Sequence, residues 1–315
     1  MPLIVPDLSV IIVSYNTVEI TRRCLNCIAD AAAGLDYEVF VVDNNSIDGS
    51  ASMVRMEFPS FHLIENGSNL GVAAATNLGL YYSRGRYLVS MNSDVLVPQG
   101  AFSKLVWFME QHPDAGGATP RLVLHALGEH PPFIGNLPSF LTDVLFALCL
   151  IHGKFAQWSN QKLFSGWENC DVSCEVPCVH WGTCFLVRRE VLDTVGMLDP
   201  RFFVYCEDLD WSIRIRKGGW NLYYLAEVRV VHLLNQSTKK GGHRMYAQMW
   251  KSRCQLVEKN SGVVAGALFR CLVAAACSIK GILLVLISSF AANRRSELRQ
   301  RLGLLYLVIK SVLSY

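Results

Sequence analysis

Short apolar segments in the first hundred residues each end abruptly in a cluster of polar side chains. Three of them, residues 8–14, 37–42 and 87–91, carry almost no charge, and the first is rich in β-branched side chains. Continuous apolar runs of this length are typical of parallel strands that are covered on both faces. Helical patterns fill the intervals, one ending near Gly34 and another spanning residues 50–57. This alternation predicts an α/β fold with a Rossmann-like, mostly parallel sheet.

Two aspartates stand directly where predicted strands end. Asp43 follows the second strand, and Asp94 closes the cluster Asn92-Ser93-Asp94 after the third. Parallel sheets bind ligands outside the carboxyl ends of their strands, so both carboxylates are candidate ligand groups. They suit Mg²⁺ or Mn²⁺, which proteins usually hold with one or two carboxylates plus substrate phosphates. The sequence therefore describes a nucleotide-diphosphate site.

Two common nucleotide-binding signatures are absent from the sequence. No Gly-x-Gly-x-x-Gly follows the first predicted strand, and no Walker A motif occurs anywhere in the chain. Interpretations as a dinucleotide oxidoreductase or a phosphate-loop nucleotidase therefore lose their main support.

An acidic stretch at residues 202–211 places three carboxylates inside an aromatic and apolar run, Phe-Phe-Val-Tyr-Cys-Glu-Asp-Leu-Asp-Trp. Burial raises the free energy of an ionised carboxylate unless it is paired, hydrogen-bonded or bound to a cation. The stretch is therefore a satisfied network or a site, and Glu207 and Asp208 could also cap the helix predicted at residues 209–217. A carboxylate across from a reacting carbon could take the proton from an attacking hydroxyl. His232, which ends a predicted strand, is more often a core or surface residue than a ligand.

The middle of the chain is the least regular part. Residues 122–178 combine loop signals with an apolar patch at residues 140–151, which fits an acceptor-binding insertion, a partner surface or plain core. Regular patterning resumes with one strand predicted at residues 179–187. Two further strands are predicted at residues 220–225 and 228–231, before a basic helical arm.

The hydrophobic excess of the chain is concentrated at its end. Residues 263–315 contain seven basic residues and one acid, a charge of +6, so the remainder carries −3 within the total of +3. An acidic main body argues against nucleic acid as its partner. Arg270 and Lys280 leave no uninterrupted apolar stretch of about 20 residues, which favours interfacial helices drawn to anionic inner-leaflet lipid. A homodimer through these helices is the alternative.

Five motifs then occur in an order that resembles a known family. They are Ser9-Val-Ile-Ile-Val-Ser-Tyr-Asn16, Val42-Asp-Asn-Asn-Ser-Ile-Asp-Gly-Ser50, Asn69-Leu-Gly-Val-Ala-Ala-Ala-Thr-Asn77, Asn92-Ser-Asp94, and the acidic stretch with Arg214. Together they resemble glycosyltransferase family 2, the inverting enzymes with a GT-A (nucleotide-diphospho-sugar transferase) fold. Within that family they look like the bacterial rhamnosyltransferase-like branch. The resemblance covers about residues 8–234.

The resemblance implies a role for each matched polar residue. Asp43 would hydrogen-bond the pyrimidine base of a sugar nucleotide, and Asp208 would be the general base. Asp94 would bind the divalent cation, Mg²⁺ or Mn²⁺, and the diphosphate. His232 falls where some members of the family place a contact to the metal or to the diphosphate. Asn92 replaces the family's first acid, which removes one charge. The other donor-binding candidates are Ser14, Tyr15, Asn16, Asn69, Gly71, Asn77, Asn92 and Ser93, and the candidates for acceptor binding or support are Glu207, Asp210, Trp181 and Gly182.

The implied reaction is transfer of one sugar, with inversion, from a nucleotide-diphosphate donor to an acceptor hydroxyl. The branch suggests dTDP-rhamnose as donor and a lipid-linked oligosaccharide as acceptor, in O-antigen-like cell-surface polysaccharide synthesis. The Gln-x-x-Arg-Trp motif of the processive polymerases is absent, so we expect a non-processive enzyme. The alternatives are a sugar-phosphate nucleotidyltransferase, which would need a Gly-rich basic loop after the first strand, and a non-catalytic sugar-nucleotide-binding protein.

These features also predict the domains and the location. We expect a GT-A catalytic domain at residues 1–236, a basic helical arm at residues 237–262 and a hydrophobic, basic helical tail at residues 263–315 that associates with a membrane. The eleven cysteines form no disulfide framework, and residues 1–7 run into the first strand without a secretory signal, which favours a reducing compartment. The prediction is a peripheral protein on the cytoplasmic face of the bacterial inner membrane.

Overall fold

The structure is a computed structural model that describes residues 5–124, 128–129, 134–151, 153–164, 167, 171–180, 182–233, 242–288 and 295–314. Its strands are β1 (Leu8–Ser14), β2 (Tyr37–Asp43), β3 (His62–Glu65), β4 (Tyr87–Asn92), β5 (Val95–Leu96), β6 (Ala115–Leu124), β7 (Gly128–Glu129), β8 (Ile134–Gly135), β9 (Cys174–Val176), β10 (Cys178–Val179), β11 (Cys184–Arg188) and β12 (Asn221–His232). Its helices are α1 (Val18–Asn26), α2 (Ile28–Ala31), α3 (Ser50–Glu57), α4 (Gly71–Tyr82), α5 (Ala101–Gln111), α6 (Phe140–Leu148), α7 (Gly153–Phe164), α8 (Glu190–Val195), α9 (Glu207–Lys217), α10 (Gly242–Ser261), α11 (Val263–Ser288) and α12 (Arg295–Leu313).

The main sheet has the strand order β3-β2-β1-β4-β11-β6-β12-β5, with β7 beside β6 and β9 beside β12. The four strands from β3 to β4 are parallel to one another, as the alternating pattern predicts. Strand β11 is antiparallel to both of its neighbours, β4 and β6, so β6 runs in the same direction as β4. Strand β12 is parallel to β6. The carboxyl ends of β1, β2, β4 and β12 therefore share one edge of the sheet.

The two faces of the sheet carry separate cores because successive strand residues point to opposite sides. Val10 and Ile12 of β1 pack into one core, with residues of α1, α2, α3 and α5. Ile11 packs into the other, which includes Phe185 and Trp211. These two rings meet edge to face, with centroids 5.9 Å apart and an interplanar angle of 81°. Helices on both faces explain why the strands are apolar throughout.

The structure differs from the predicted strands in two places. The strand predicted at residues 179–187 is two strands, β10 and β11, separated by a break that contains Gly182. The strands predicted at residues 220–225 and 228–231 are one strand, β12, whose pairing with β6 shifts register between Leu225 and Arg229. A bulge of this kind absorbs extra residues without ending the strand, so the pattern of apolar residues breaks where the strand does not.

The chain packs as two compact units. The sheet unit comprises Met1–Gly135, Gly166–Phe203 and Glu207–Lys239, and the helical unit comprises Asn136–Ser165, Val204–Cys206 and Lys240–Tyr315. The helical unit contains α6, α7, α10, α11 and α12 around a core that includes Trp250, Phe269 and Val308. The sequence-based boundaries at residues 236 and 262 follow chain order, whereas packing joins the two helices of the irregular middle region to the C-terminal helices.

Candidate active site

Asp43 is the last residue of β2 and lies at the carboxyl edge of the sheet. Its side chain is 4% exposed, and its Oδ2 accepts a hydrogen bond from the backbone N–H of Ser46 at 2.8 Å. Its Oδ1 is buried and has no hydrogen-bond partner among the described residues. A buried carboxylate oxygen without a donor is costly, because the charge loses water and gains nothing in return. This oxygen is thus placed to accept a hydrogen bond from a ligand.

The polar loops that follow β1 and β2 are tied to each other. Asn16 has a left-handed backbone with φ of 53°, and its N–H donates to Ser46 Oγ at 2.9 Å. Its side-chain Oδ1 accepts from the backbone N–H of Ile47 at 2.8 Å. Ser14 Oγ lies 3.0 Å from Thr21 Oγ1 inside the same region. Tyr15, between Ser14 and Asn16 in the chain, is 38% exposed. The first two motifs therefore form one surface beside Asp43.

Asn44 is a site residue that the sequence interpretation missed. Its Nδ2 donates to Asn69 Oδ1 at 2.9 Å and to the carbonyl of Gly71 at 3.1 Å. Its Oδ1 accepts from Asn66 Nδ2 at 3.0 Å and from the N–H of Leu70 at 2.9 Å. One buried amide thus holds the whole turn before α4, using both of its donors and both acceptor positions. Its position next to Asp43 was the only feature of the sequence that pointed to a role in the site. Nothing in the sequence showed which turn its side chain would contact.

Gly71 brings that turn against the acidic stretch. Its backbone is left-handed with φ of 81°, and a Cβ at this position would lie 2.2 Å from the carbonyl oxygen of Phe203. The next residue, Val72, donates its N–H to the same oxygen at 2.6 Å. Only glycine permits this approach, because any side chain would overlap Phe203. Motifs that lie about 130 residues apart in the sequence are therefore in direct contact.

Asn77, a predicted donor-binding residue, uses its amide for another contact. Its Nδ2 donates to the carbonyl of Leu198 at 2.8 Å, and its Oδ1 accepts from the N–H of Leu198 at 3.0 Å. These bonds hold α4 against the turn that precedes the acidic stretch. A donor contact of Asn77 stays a prediction.

Asp94 and His232 form a buried pair at the sheet edge. The two side chains are 9% and 7% exposed, and Asp94 Oδ1 lies 3.1 Å from His232 Nε2. They are brought together because β5, which begins at Val95, pairs with the end of β12. Nδ1 of His232 is buried without a partner among the described residues. A histidine and a carboxylate that are 138 residues apart in the sequence are thus in direct contact.

The donor groups at this pair fit a divalent cation only in part. The distance of 3.1 Å between Asp94 Oδ1 and His232 Nε2 suits a hydrogen bond. It is also near the separation of about 3 Å between adjacent ligand atoms of an octahedral Mg²⁺. Within the described part of the chain, no group of three or more His, Cys, Asp or Glu side chains could hold a metal ion. Asn92 is exposed at the end of β4, and Ser93 is buried with its Oγ 3.3 Å from Thr17 Oγ1. A cation here would need oxygen ligands from a bound diphosphate.

Asp208 lies in the first turn of α9, against the break between β10 and β11. Its Oδ2 accepts from the N–H of Gly182 at 2.5 Å, and its Oδ1 accepts from the N–H of Leu209 at 2.7 Å. A Cβ on Gly182 would lie 2.7 Å from Cβ of Asp208, so glycine is required for this approach. Burial raises the pKa of Asp208, although the two N–H donors oppose the shift. Trp181, the neighbouring predicted residue, lies outside the described residues.

The other two acids of the stretch have different surroundings. Glu207 is 8% exposed, and its Oε2 has no partner among the described residues. Burial raises the pKa of Glu207 well above its ordinary range, and the neighbouring Asp208 charge adds to the shift. Asp210 instead accepts from Arg214 Nε at 2.8 Å, one helical turn away, and Arg214 also donates to the carbonyl of Met197 at 2.8 Å. Asp210 therefore orients the Arg214 side chain, which ties α9 to the turn at Met197.

The comparisons with known proteins identify the family of the chain. A family model described as glycosyl transferase family 2 matches residues 9–125. N-acetylglucosaminyl-diphospho-decaprenol L-rhamnosyltransferase of Mycobacterium tuberculosis is 28% identical over 269 residues, which cover 81% of this chain and 85% of that protein. Glycosyltransferase AglE of Haloferax volcanii is 33% identical over 231 residues, covering 72% of this chain and 67% of the relative. The dTDP-rhamnosyl transferase RfbF of Shigella flexneri is 22% identical, with coverages of 73% and 70%.

Solved structures give the same fold. The mannosyltransferase PcManGT from Pyrobaculum calidifontis, in complex with GDP-Man and Mn²⁺, superposes with a TM-score of 0.55 at 18% identity, over 99% of this chain and 88% of that one. S. aureus TarS 1-349 superposes with a TM-score of 0.53 at 13% identity, over 97% and 81%. These superpositions identify the fold as GT-A. The chain belongs to glycosyl transferase family 2, and its relatives include the rhamnosyltransferases that the motifs suggested.

Proposed function

We propose that this enzyme is an inverting, non-processive rhamnosyltransferase that uses dTDP-rhamnose and a lipid-linked glycan acceptor. Two relatives support these substrates, because one is an N-acetylglucosaminyl-diphospho-decaprenol L-rhamnosyltransferase and the other is a dTDP-rhamnosyl transferase. The observation that carries the proposal is the placement of the acids at one edge of the sheet. Asp43 and the Asp94–His232 pair lie at the carboxyl ends of strands. Asp208 contacts Gly182, whose neighbour Thr183 accepts a hydrogen bond from the N–H of Asn92 at 3.0 Å.

Each side chain has a distinct part in the proposed reaction. Asp43 Oδ1 accepts a hydrogen bond from the pyrimidine base. Asp94 and His232 would hold a divalent cation, which would supply positive charge against the negative charge of the leaving diphosphate. Asp208 accepts the proton of the acceptor hydroxyl. The acceptor oxygen bonds to the anomeric carbon as the bond from that carbon to the diphosphate oxygen breaks, and the electron pair leaves with the diphosphate.

A donor panel tests the proposal. The full-length chain is incubated with Mn²⁺, polyprenyl-diphosphate-linked N-acetylglucosamine and one of several nucleotide sugars. We expect product with dTDP-rhamnose at a rate at least tenfold above UDP-glucose or GDP-mannose, with inverted anomeric configuration by NMR. Product with retained configuration contradicts the mechanism. Formation of a nucleotide sugar from a sugar phosphate and a nucleoside triphosphate would instead identify a nucleotidyltransferase.

Helix α11 supports a membrane-associated acceptor. Among the described helices it alone is long and apolar enough to cross a membrane, judged by length and composition, over the 24 residues Val263–Leu286. The sequence had not predicted such a candidate, because Arg270 and Lys280 divide the apolar run. One side of the helix packs into the core of the helical unit through residues that include Phe269, Val273 and Cys277.

The opposite side of α11 is an exposed apolar stripe. Its members recur at helical spacing and include Val264, Leu268, Cys271, Ala275, Ile279, Ile282 and Leu286. A helix with one packed face and one exposed apolar face suits a position in the plane of a bilayer surface, because a spanning position would draw its packed neighbours into lipid. Helix α10, one of those neighbours, carries charged residues such as Glu258 and Lys259.

Charges on this stripe should release the protein from membranes. We expect the double variant Leu268→Glu, Ile282→Glu to lower binding to vesicles of anionic phospholipid by at least tenfold, since burying either carboxylate in lipid is costly. The matched control is Met56→Glu, Trp107→Glu, which changes two exposed apolar residues of the sheet unit. Flotation measures binding. Retention of the unaltered protein by membranes after alkaline carbonate washing would contradict an in-plane position.

A further inference from the structure

The residues directly before α9 have an unusual backbone. Tyr205 and Cys206 are consecutive, neither is glycine, and their φ angles are 67° and 68°. A left-handed conformation places the Cβ of such residues too close to the backbone, so it persists only where surrounding contacts impose it. Asp208 is the second residue after Cys206. The conformation of this short segment therefore sets how the chain enters the helix that carries the proposed base.

Contacts within the helical unit impose that conformation. Val204–Cys206 packs with this unit. The carbonyl of Val204 accepts a hydrogen bond from Ser252 Oγ at 2.7 Å, and Ser252 is fully buried on α10. Its hydroxyl in turn accepts from Gln248 Nε2 at 3.1 Å. The direction of the Ser252 hydroxyl is thus fixed from both sides, so it serves as a dedicated donor to the segment.

The next residue of α10 holds the other end of the segment. The guanidinium of Arg253 contacts the Cys206 side chain and donates through Nε to Asp143 Oδ1 of α6 at 2.6 Å. It also lies over the Phe146 ring, with its central carbon 5.6 Å from the ring centroid. Burial lowers the pKa of Arg253, but Asp143 and Cys206 outweigh burial and the pKa is raised. The guanidinium is charged, buried and fixed in direction, so it can hold the Cys206 side chain in one position.

The residues that flank the segment are fixed within the sheet unit. On one side the carbonyl of Phe203 accepts from Val72 at 2.6 Å. On the other, Asp208 accepts from Gly182 at 2.5 Å. Between these anchors the backbone has few ways to relax, so a loss of the left-handed turn would displace the start of α9 and lengthen the contact between Asp208 and Gly182.

We propose that Ser252 and Arg253 are positioning residues for Asp208, which they act on by holding Val204–Cys206 in its left-handed conformation. This inference rests on the proposed role of Asp208 as the base. Neither residue lies within the motifs that define the family match.

Kinetics of Ser252→Ala test the proposal. We expect kcat to fall about tenfold with the donor KM unchanged, because the donor site is left intact. The acid limb of the pH profile should move to higher pH, since a displaced Asp208 loses the Gly182 N–H bond that lowers its pKa. The matched control is Ser159→Ala, which removes another fully buried serine of the helical unit whose Oγ donates to the carbonyl of Thr142 at 3.1 Å. This control should change stability without changing kcat.

Two substitutions of Cys206 separate positioning from general stability. Cys206→Gly accepts the left-handed turn without strain, so in that background Ser252→Ala should cost less than threefold in kcat. Cys206→Val resists the turn because it is β-branched, and it should lower kcat as Ser252→Ala does. Equal losses of kcat for Ser252→Ala and Ser159→Ala, or no rescue by glycine, would overturn the proposal. Asp208→Asn, assayed alongside, tests the base itself, so failure of the two ideas can be told apart.

Discussion

Asp208→Asn is expected to lower the rate of sugar transfer by about 10³-fold while leaving donor binding within a factor of two. Proton acceptance by a positioned side chain contributes roughly 10²- to 10⁴-fold to a rate, and an amide cannot accept that proton. The donor should still bind, because Asp43, Asp94 and His232 lie at the sheet edge and not on α9. Single-turnover transfer and calorimetric titration with dTDP measure the two effects.

The pH dependence of the unaltered enzyme gives an independent reading. Asp208 must be ionised to accept a proton, and burial raises its pKa above the usual range of an aspartate. Activity is therefore complete well above that raised pKa and is lost as the pH falls through it. We expect the acid limb of kcat/KM at a higher pH than an exposed aspartate would give. Asp208→Asn should abolish this limb in whatever activity remains.

Glu207→Gln is the matched control for Asp208→Asn. Burial and the Asp208 charge raise the pKa of Glu207, so Glu207 stays protonated to a higher pH than Asp208. Glutamine is close in shape and charge to protonated Glu207, which is the form present when Asp208 titrates. The acid limb of the pH profile of kcat/KM should therefore stay at the same pH, and the rate of sugar transfer should fall by less than tenfold. If Glu207→Gln lost more activity than Asp208→Asn, the assignment of the base would have to pass to Glu207.

Much of the sheet edge was predictable from local sequence. Strand β1 and helix α3 have the bounds that the apolar pattern gives, and Asp43 and Asp94 lie at strand ends as expected. The reason is that parallel strands buried on both faces must be apolar throughout, so their ends are marked by the first polar residues. Ligands of parallel sheets bind at this edge, so motifs that follow different strands can be assigned to one site before any contact between them is known.

Contacts between distant segments were not predictable in this way. Gly71 could be seen as a turn residue, but its close approach to Phe203 depends on where α9 lies. Asn44 could be seen as polar, but its four hydrogen bonds depend on the path of the turn before α4. The break at Gly182 was interpreted as continuous strand because its apolar neighbours match a strand on either side. In each case the local structure depends on a contact with a residue that is far away in the sequence.

The helical unit shows the same limit on a larger scale. Residues 140–151 were recognised as apolar, yet three interpretations stayed open because apolar content does not reveal a partner. In the structure Ala147 and Leu150 lie in one core with Trp250 of α10 and Val273 of α11. The buried Arg253–Asp143 pair, with Nε 2.6 Å from Oδ1, accompanies that core. Its partners are 110 residues apart, a pairing that no spacing rule could have indicated.

Asp94→Asn is expected to lower transfer by about 10²-fold or more and to raise the Mn²⁺ concentration needed for half-maximal rate. Asp94 is the only carboxylate described at this position, so its loss leaves His232 and the diphosphate as ligands. Stabilisation of a leaving diphosphate by a cation is worth several kcal/mol, which corresponds to a loss of this size. Asparagine keeps the shape and can still bond to His232, so stability should change little.

The reciprocal variant is Asn92→Asp, which supplies the acid that the family motif has and this chain lacks. A second carboxylate at the end of β4 adds a charged oxygen ligand, so we expect half-maximal activity at a Mn²⁺ concentration several-fold below that of the unaltered enzyme. Dependence of dTDP binding on Mn²⁺, followed by thermal unfolding, measures the same effect without turnover. If Asp94→Asn and Asn92→Asp both left the Mn²⁺ requirement unchanged, the cation would have to be held elsewhere, and His232 would serve only to orient Asp94.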